Sequence, residues 1–204
     1  MVWYEEEVKR IEGLQETFDY LPETVFYGSS SITLWSSLYT DMASLKPINL
    51  GFGGSTLAAC SWYFQRVIEP VKSMQRLVLY AGDNDLGDGR NPEEVYLFYS
   101  QLIYHLREKF GDIPCYFISI KPSFQRWEII GRIKTANRLI RQETTKDPHQ
   151  HFIDIYPDML NDQGVPSRKL FEPDGLHISA EGYVIWKKAV QEAILEAESL
   201  QHVI

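Results

Sequence analysis

Short apolar runs, several closed by glycine, alternate with stretches of helical periodicity along nearly the whole chain. Apolar residues recurring at a 3.6-residue period mark helix, while a brief continuous apolar run marks a buried strand. Strands are expected at residues 24–27, 47–50, 76–81, 114–120 and 151–155, and helices at 3–18, 56–71, 92–110, 128–143 and 179–200. Val8, Ile11, Leu14 and Phe18 form the first helical stripe, and Val95, Phe98, Leu102, Leu106 and Phe110 form the third. Asn91 and Ser179 stand where helix caps belong. Strand–helix alternation of this kind predicts an α/β fold: a three-layer α/β/α sandwich around a mostly parallel five-stranded sheet. Ligands of such folds bind beyond the carboxyl ends of the strands, so chemistry is sought where strands end.

Composition agrees with one globular domain over residues 1–204. Hydrophobic residues make up 44% and charged residues 24%, both ordinary for a soluble domain. The net charge of −8 argues against general nucleic-acid binding, which draws its affinity from cations on phosphates. It also disfavours anionic membranes. The longest apolar stretches, such as 77–81 and 117–120, are far too short to cross a bilayer. Cys60 and Cys115 sit among apolar neighbours and read as buried thiols. The first residues carry no basic leader or apolar segment, which points to a cytoplasmic protein. Glu5, Glu6 and Glu7 read as a solvated helix face.

Four short blocks fall at ends of expected elements. The first is Gly28-Ser29-Ser30-Ser31-Ile32. A serine on a tight strand-to-helix turn has its hydroxyl pushed towards solvent, although serines also serve simply as helix caps. The second, Asn49 to Thr56, carries Gly51, Gly53 and Gly54. It fails as a dinucleotide fingerprint because Thr56 stands where the last glycine belongs, and no Gly-Lys-Ser/Thr follows to make a P-loop. The third is Gly82-Asp83-Asn84-Asp85, whose asparagine amide suits a developing oxyanion. With Asp88 it suggests calcium, but Gly87 takes a ligand position and no glutamate closes the loop. The fourth is Asp174-Gly175-Leu176-His177, a carboxylate three residues before an imidazole, as a base and its orienting group require. His149 and His151 flank Gln150 before a strand and are not read as a metal pair, and His105 reads as a surface or interface histidine on a helix.

Together, and in this order, the four blocks resemble the SGNH hydrolases, the GDSL-type esterase/lipase family. The matches are Ser30, Gly54, Asn84 and His177, and the resemblance spans about residues 24–195. A branch with Gly-Ser-Ser-Ser-Ile, a following tryptophan (Trp35) and a run like Ser119-Ile120-Lys121-Pro122-Ser123 with Trp127 is the most similar. The resemblance implies a flavodoxin-like sheet and a Ser30–His177–Asp174 triad. It also implies an oxyanion hole from the Ser30 and Gly54 backbone N–H groups and the Asn84 amide, with no metal or cofactor. Ser29 departs from the family's usual Asp before the nucleophile, which leaves three adjacent serines to choose from; aligning Gly28-x-Ser30 to Gly-Asp-Ser selects Ser30. The Gly-x-Ser-x-Gly elbow of α/β-hydrolases fails at Ile32. Trp35, Phe52, Trp127 and Phe171 are candidates for a substrate-facing wall. The expected activity is hydrolysis of small or acetylated carboxylic esters by a monomer or homodimer. A carbohydrate deacetylase, a lysophospholipase, a thioesterase or a non-catalytic ester- or glycan-binding module remain open.

Overall fold

The computed structural model describes residues 2–15, 17 and 19–201. Five strands form one sheet: β1 (Thr24–Gly28), β2 (Pro47–Gly51), β3 (Arg76–Tyr80), β4 (Cys115–Ile118) and β5 (Gln150–Ile153). Their order is β2-β1-β3-β4-β5 and every pairing is parallel, the flavodoxin-like order. The sheet is thus wholly rather than mostly parallel.

Within each strand successive side chains enter opposite layers, as the two-residue period of a strand requires. Val25, Tyr27, Leu77, Leu79, Cys115 and Phe117 join one apolar core. Phe26, Val78, Tyr80, Tyr116, Ile118 and Ile153 join the other. The helices are α1 (Glu5–Gln15), α2 (Ser30–Thr33), α3 (Leu38–Asp41), α4 (Leu57–Trp62), α5 (Phe64–Val67), α6 (Asp83–Gly87), α7 (Pro92–Phe110), α8 (Ile130–Thr144) and α9 (Ala180–Gln201). Residues of α1, α4, α5, α7 and α8 cover the first core, and those of α2, α3 and α9 cover the second.

Several boundaries differ from expectation. The helix expected over 56–71 is two short ones, divided at Tyr63. The strand expected over 114–120 stops at Ile118; just beyond it the Ser119 N–H still donates to Ile153 O at 2.8 Å and the Ser119 hydroxyl accepts the Ile155 N–H at 3.1 Å. The turns α2 and α3 carried no stripe long enough to read. Phe18 lies outside the described residues. Both expected caps form: Glu94 accepts the Asn91 N–H at 2.7 Å, and Ser179 Oγ accepts the Gly182 N–H at 3.3 Å. The acidic face of α1 is not simply solvated, because Glu5 and Glu12 clamp Arg66 at 2.9 and 2.8 Å. Cys60 and Cys115 are free and buried. His105 stacks on Phe64 at 5.6 Å and His151 on Tyr116 at 4.6 Å. Among the described residues no helix is long and apolar enough to cross a membrane.

Candidate active site

The register sets the site. Gly28 lies opposite Gly51 on one side and Tyr80 on the other, so the chain leaves β1, β2 and β3 at one level of the sheet edge. Gly28 has φ +136°, and a Cβ there would fall 1.8 Å from the Tyr80 carbonyl oxygen. Only glycine fits a turn that close to the neighbouring strand. The Ser29 N–H then donates to Tyr80 O at 2.9 Å, and α2 starts at Ser30. Of the three serines, Ser29 and Ser31 are buried, with hydroxyls that find no partner among the described residues, and Ser30 is partly exposed.

The glycine loop after β2 is held from both sides. Tyr4 OH donates to Gly54 O at 2.9 Å and Asn84 Nδ2 donates to Ser55 O at 3.0 Å. Gly54 has φ +70° and an open Cβ direction, which leaves its backbone approachable. Asn84 is the second residue of α6 and half-buried. Its neighbours on either side are buried acids with different partners. Asp85 accepts the Leu57 N–H at 2.7 Å and the Ala58 N–H at 3.4 Å, capping α4 and tying it to α6. Burial pushes its carboxyl up to about 6 despite these bonds. Asp83 takes a charged partner instead: Lys121 Nζ, itself 2% exposed, donates to Asp83 Oδ2 at 2.8 Å and to Tyr80 OH at 3.0 Å. Burial alone would raise the Asp83 carboxyl, but the adjacent ammonium holds it below its ordinary range.

The fourth block arrives from the far end of the chain. An isolated bridge pairs Phe171 with Ile178, and Glu172 N–H donates to His177 O at 2.8 Å, so residues 172–177 form a tight turn. Asp174 Oδ1 accepts the Leu176 and His177 N–H groups at 2.8 and 3.0 Å, and Oδ2 lies 2.6 Å from His177 Nδ1. The Leu176 N–H first, and then the imidazole, lower the Asp174 carboxyl to about 2. An ionised carboxylate only accepts, so Nδ1 carries the proton and Nε2 of the neutral ring is left as an acceptor. The helix that follows binds this turn to the first block: Tyr183 OH donates to Ser31 O at 2.9 Å. Among the described residues, neither Ser30 Oγ nor His177 Nε2 bonds to another protein group. Nucleophile–base bonds commonly tighten only around substrate.

Three of the expected wall residues belong to the core. Trp35 is 1% exposed, donates Nε1 to Asp41 at 2.9 Å and stacks on Tyr183 at 5.2 Å. Phe52 is fully buried among the rings of Tyr4, Tyr27 and Tyr63. Phe171 is 5% exposed beneath Phe124. Trp127 is half-buried and remains a candidate. The exposed ring beside the histidine turn is Phe124, whose N–H donates to Gly175 O at 3.0 Å. No sequence signal separates it from its buried neighbours, since exposure here depends on which loop lies on top. Lys121 was legible only as part of the 119–123 run, and Tyr4 not at all. Among the described residues no group of three or more His, Cys, Asp or Glu side chains could hold a metal.

The description of the GDSL-like lipase/acylhydrolase family matches residues 21–185. The chain is 24% identical over 182 residues to the platelet-activating factor acetylhydrolase IB subunit alpha1 of Bos taurus, covering 85% of this chain and 75% of that protein. Its fold resembles that of a protein from Streptococcus pneumonia, with TM-score 0.83 and 17% identity, over 92% of this chain and 91% of the other. It also resembles a GDSL-like lipase from Bacteroides thetaiotaomicron (TM-score 0.73, 19% identity, 95% and 98% covered). A carbohydrate esterase of family 3 from Talaromyces cellulolyticus is similar as well (TM-score 0.68, 13% identity, 87% and 99% covered). The family profile covers most of the chain, and the parallel sheet with four blocks at its edge agrees with it: this protein belongs to the GDSL-like lipase/acylhydrolase family of ester-bond hydrolases.

Proposed function

We propose that the protein is a serine esterase acting on small or acetylated carboxylic esters, with Ser30 as nucleophile, His177 as general base and Asp174 as the group that orients it. The observation that carries this is the 2.6 Å contact between His177 Nδ1 and Asp174 Oδ2, on a turn tied through Tyr183 to the serine turn. Of the three serines, only Ser30 reaches the surface.

The Ser30 hydroxyl gives its proton to His177 Nε2 as Oγ bonds to the ester carbonyl carbon. The carbonyl oxygen becomes an oxyanion, taken up by the Ser30 and Gly54 N–H groups and by Asn84 Nδ2. Asn84 uses one amide hydrogen on Ser55 O and keeps the second for the oxyanion. His177 returns the proton to the leaving alcohol as the ester C–O bond breaks, and water hydrolyses the acyl-serine by the same steps. All three donors are neutral and are fixed before the reaction begins, which is where such stabilisation is most effective. The preference for a small acyl group is supported by two similar proteins whose names contain acetyl: the bovine acetylhydrolase subunit and an acetyl esterase with TM-score 0.65 and 12% identity. A serine-reactive fluorophosphonate, followed by peptide mapping, tests the proposal. Labelling at Ser30 that disappears in His177→Ala supports it. An unlabelled protein, or a label on Ser29 or Ser31, contradicts it.

A further inference from the structure

Arg126 is half-buried, yet its guanidinium meets no carboxylate within 4.0 Å and its Nε is buried with no hydrogen-bond partner among the described residues. A partly buried arginine is ordinarily paired, and this chain offers 28 acidic residues against 20 basic ones. Its surroundings explain where the free charge points. On one side the backbone of its segment lies on the histidine turn: the Phe124 and Gln125 N–H groups donate to Gly175 O at 3.0 and 3.3 Å, and Gln125 Nε2 donates to Asp174 O at 3.1 Å. On the other side the guanidinium rests against Gly87. A Cβ there would lie 2.4 Å from Arg126 Cζ and 2.5 Å from Nη2, so the absent side chain makes the seat. Gly87 follows Asn84 by three residues on α6 and shares its face. The guanidinium therefore lies against α6, the helix that carries Asn84, on a segment whose backbone is bonded to the Asp174–His177 turn.

Several of the charges nearby already have partners. Asp83 feels the Arg126 charge but takes its hydrogen bond from Lys121. Asp85 holds the α4 backbone and lies 3.9 Å from Arg90. Asp174 is engaged by His177. Arg168 donates to Glu172 O and Pro173 O and covers Phe124. Among the described residues Arg126 makes no hydrogen bond and no ion pair through its fork of donors, whereas Arg90 at least lies 3.9 Å from Asp85 and over the Phe98 ring.

Resting on the serine-esterase reading above, we propose that Arg126 is a specificity-determining residue that takes an anionic group of the substrate, a carboxylate or phosphate, beside the reacting ester. A planar guanidinium binds either group through two parallel N–H···O bonds. The physiological substrate is then an anionic ester rather than a neutral one.

Two matched pairs test this: p-nitrophenyl hydrogen succinate against p-nitrophenyl butyrate for a carboxylate, and acetylglycerol phosphate against acetylglycerol for a phosphate. The readout is the anionic-to-neutral ratio of kcat/KM. Wild type favours the anionic member of at least one pair, and the preference weakens at high ionic strength. Arg126→Ala lowers that ratio about 10- to 100-fold, chiefly through KM, as expected for a lost charge-assisted bond, and Arg126→Lys retains part of it. The pair that responds identifies the anion. No anionic preference in wild type, or a ratio unchanged in Arg126→Ala, overturns the proposal. If the protein hydrolyses none of the four esters, the esterase reading fails separately. Calorimetric titration with succinate and with inorganic phosphate then decides: binding lost in Arg126→Ala supports the anion site, and no binding to wild type overturns it.

Discussion

Lys121→Met tests the energetics beneath the candidate oxyanion hole. The substitution roughly keeps side-chain volume and removes the ammonium from a site where Lys121 is 2% and Asp83 4% exposed. Asp83 then has no cation at hydrogen-bond distance, and its Oδ1 already lacks a partner. Breaking a buried pair by removing one partner costs about 3–5 kcal/mol. For a chain of this size that lowers Tm by roughly 6–20 °C. The companion change Lys121→Met/Asp83→Asn removes both charges and should recover most of the loss, since an intact buried pair gains little over neutral groups. The pH dependence changes sign. In wild type the Asp83 carboxyl is lowered, so its contribution is present above the unfolded pKa and fades as pH falls. In Lys121→Met burial is opposed only by the Arg126 charge and the Asn84 N–H and raises the carboxyl, so stability is lost as pH rises. Urea unfolding of wild type, the single variant and the double variant at about pH 5 and about pH 8 measures both effects. A single variant no less stable than the double, or no worse at the higher pH, would refute the account of a carboxylate held by Lys121.

Asn84→Ala should lower kcat by about a hundred- to a thousand-fold and less than Ser30→Ala does, as steady-state kinetics on both variants would show. Asp85 has its carboxyl raised to about 6, so the folded state holds this proton more tightly. Stability from this group is full below the unfolded value near 3.8 and is lost as pH rises through about 6. Asp85→Asn should therefore gain on wild type by up to about 3 kcal/mol between acid and neutral pH, read from unfolding midpoints; a constant difference would contradict the burial argument. Tyr4→Phe removes the bond to Gly54 O, and should cost about 1 kcal/mol of stability together with a fall in kcat if the Gly54 loop must be held in place; unchanged kcat would separate α1 from catalysis.

The sheet and the ends of its strands were legible because both follow from local signals. Buried runs such as 76–81 have one plausible period, and glycines at 28, 51 and 82 mark where the chain packs closely on a neighbouring strand, helix or side chain at a strand end. The four blocks were legible for the same reason, each lying within a few residues of a strand or helix end. What sequence did not reveal depends on pairs distant along the chain. Tyr4 reaches Gly54 across 50 residues, and Tyr183 reaches Ser31 across 152. Whether an aromatic ring faces solvent is likewise set by what covers it. Trp35 and Phe52 look like binding residues by position and are packed inside, whereas Phe124 is 41% exposed. Nothing local in the sequence pointed to the buried pair of Asp83 and Lys121, which joins residues that follow different strands.

Hydrolysis of p-nitrophenyl acetate by wild type, Ser30→Ala and Ser31→Ala, compared side by side without added metal, tests the central claim most directly. The account predicts turnover by wild type and Ser31→Ala and its loss in Ser30→Ala. Loss confined to Ser31→Ala, or equal activity in all three proteins, would contradict it.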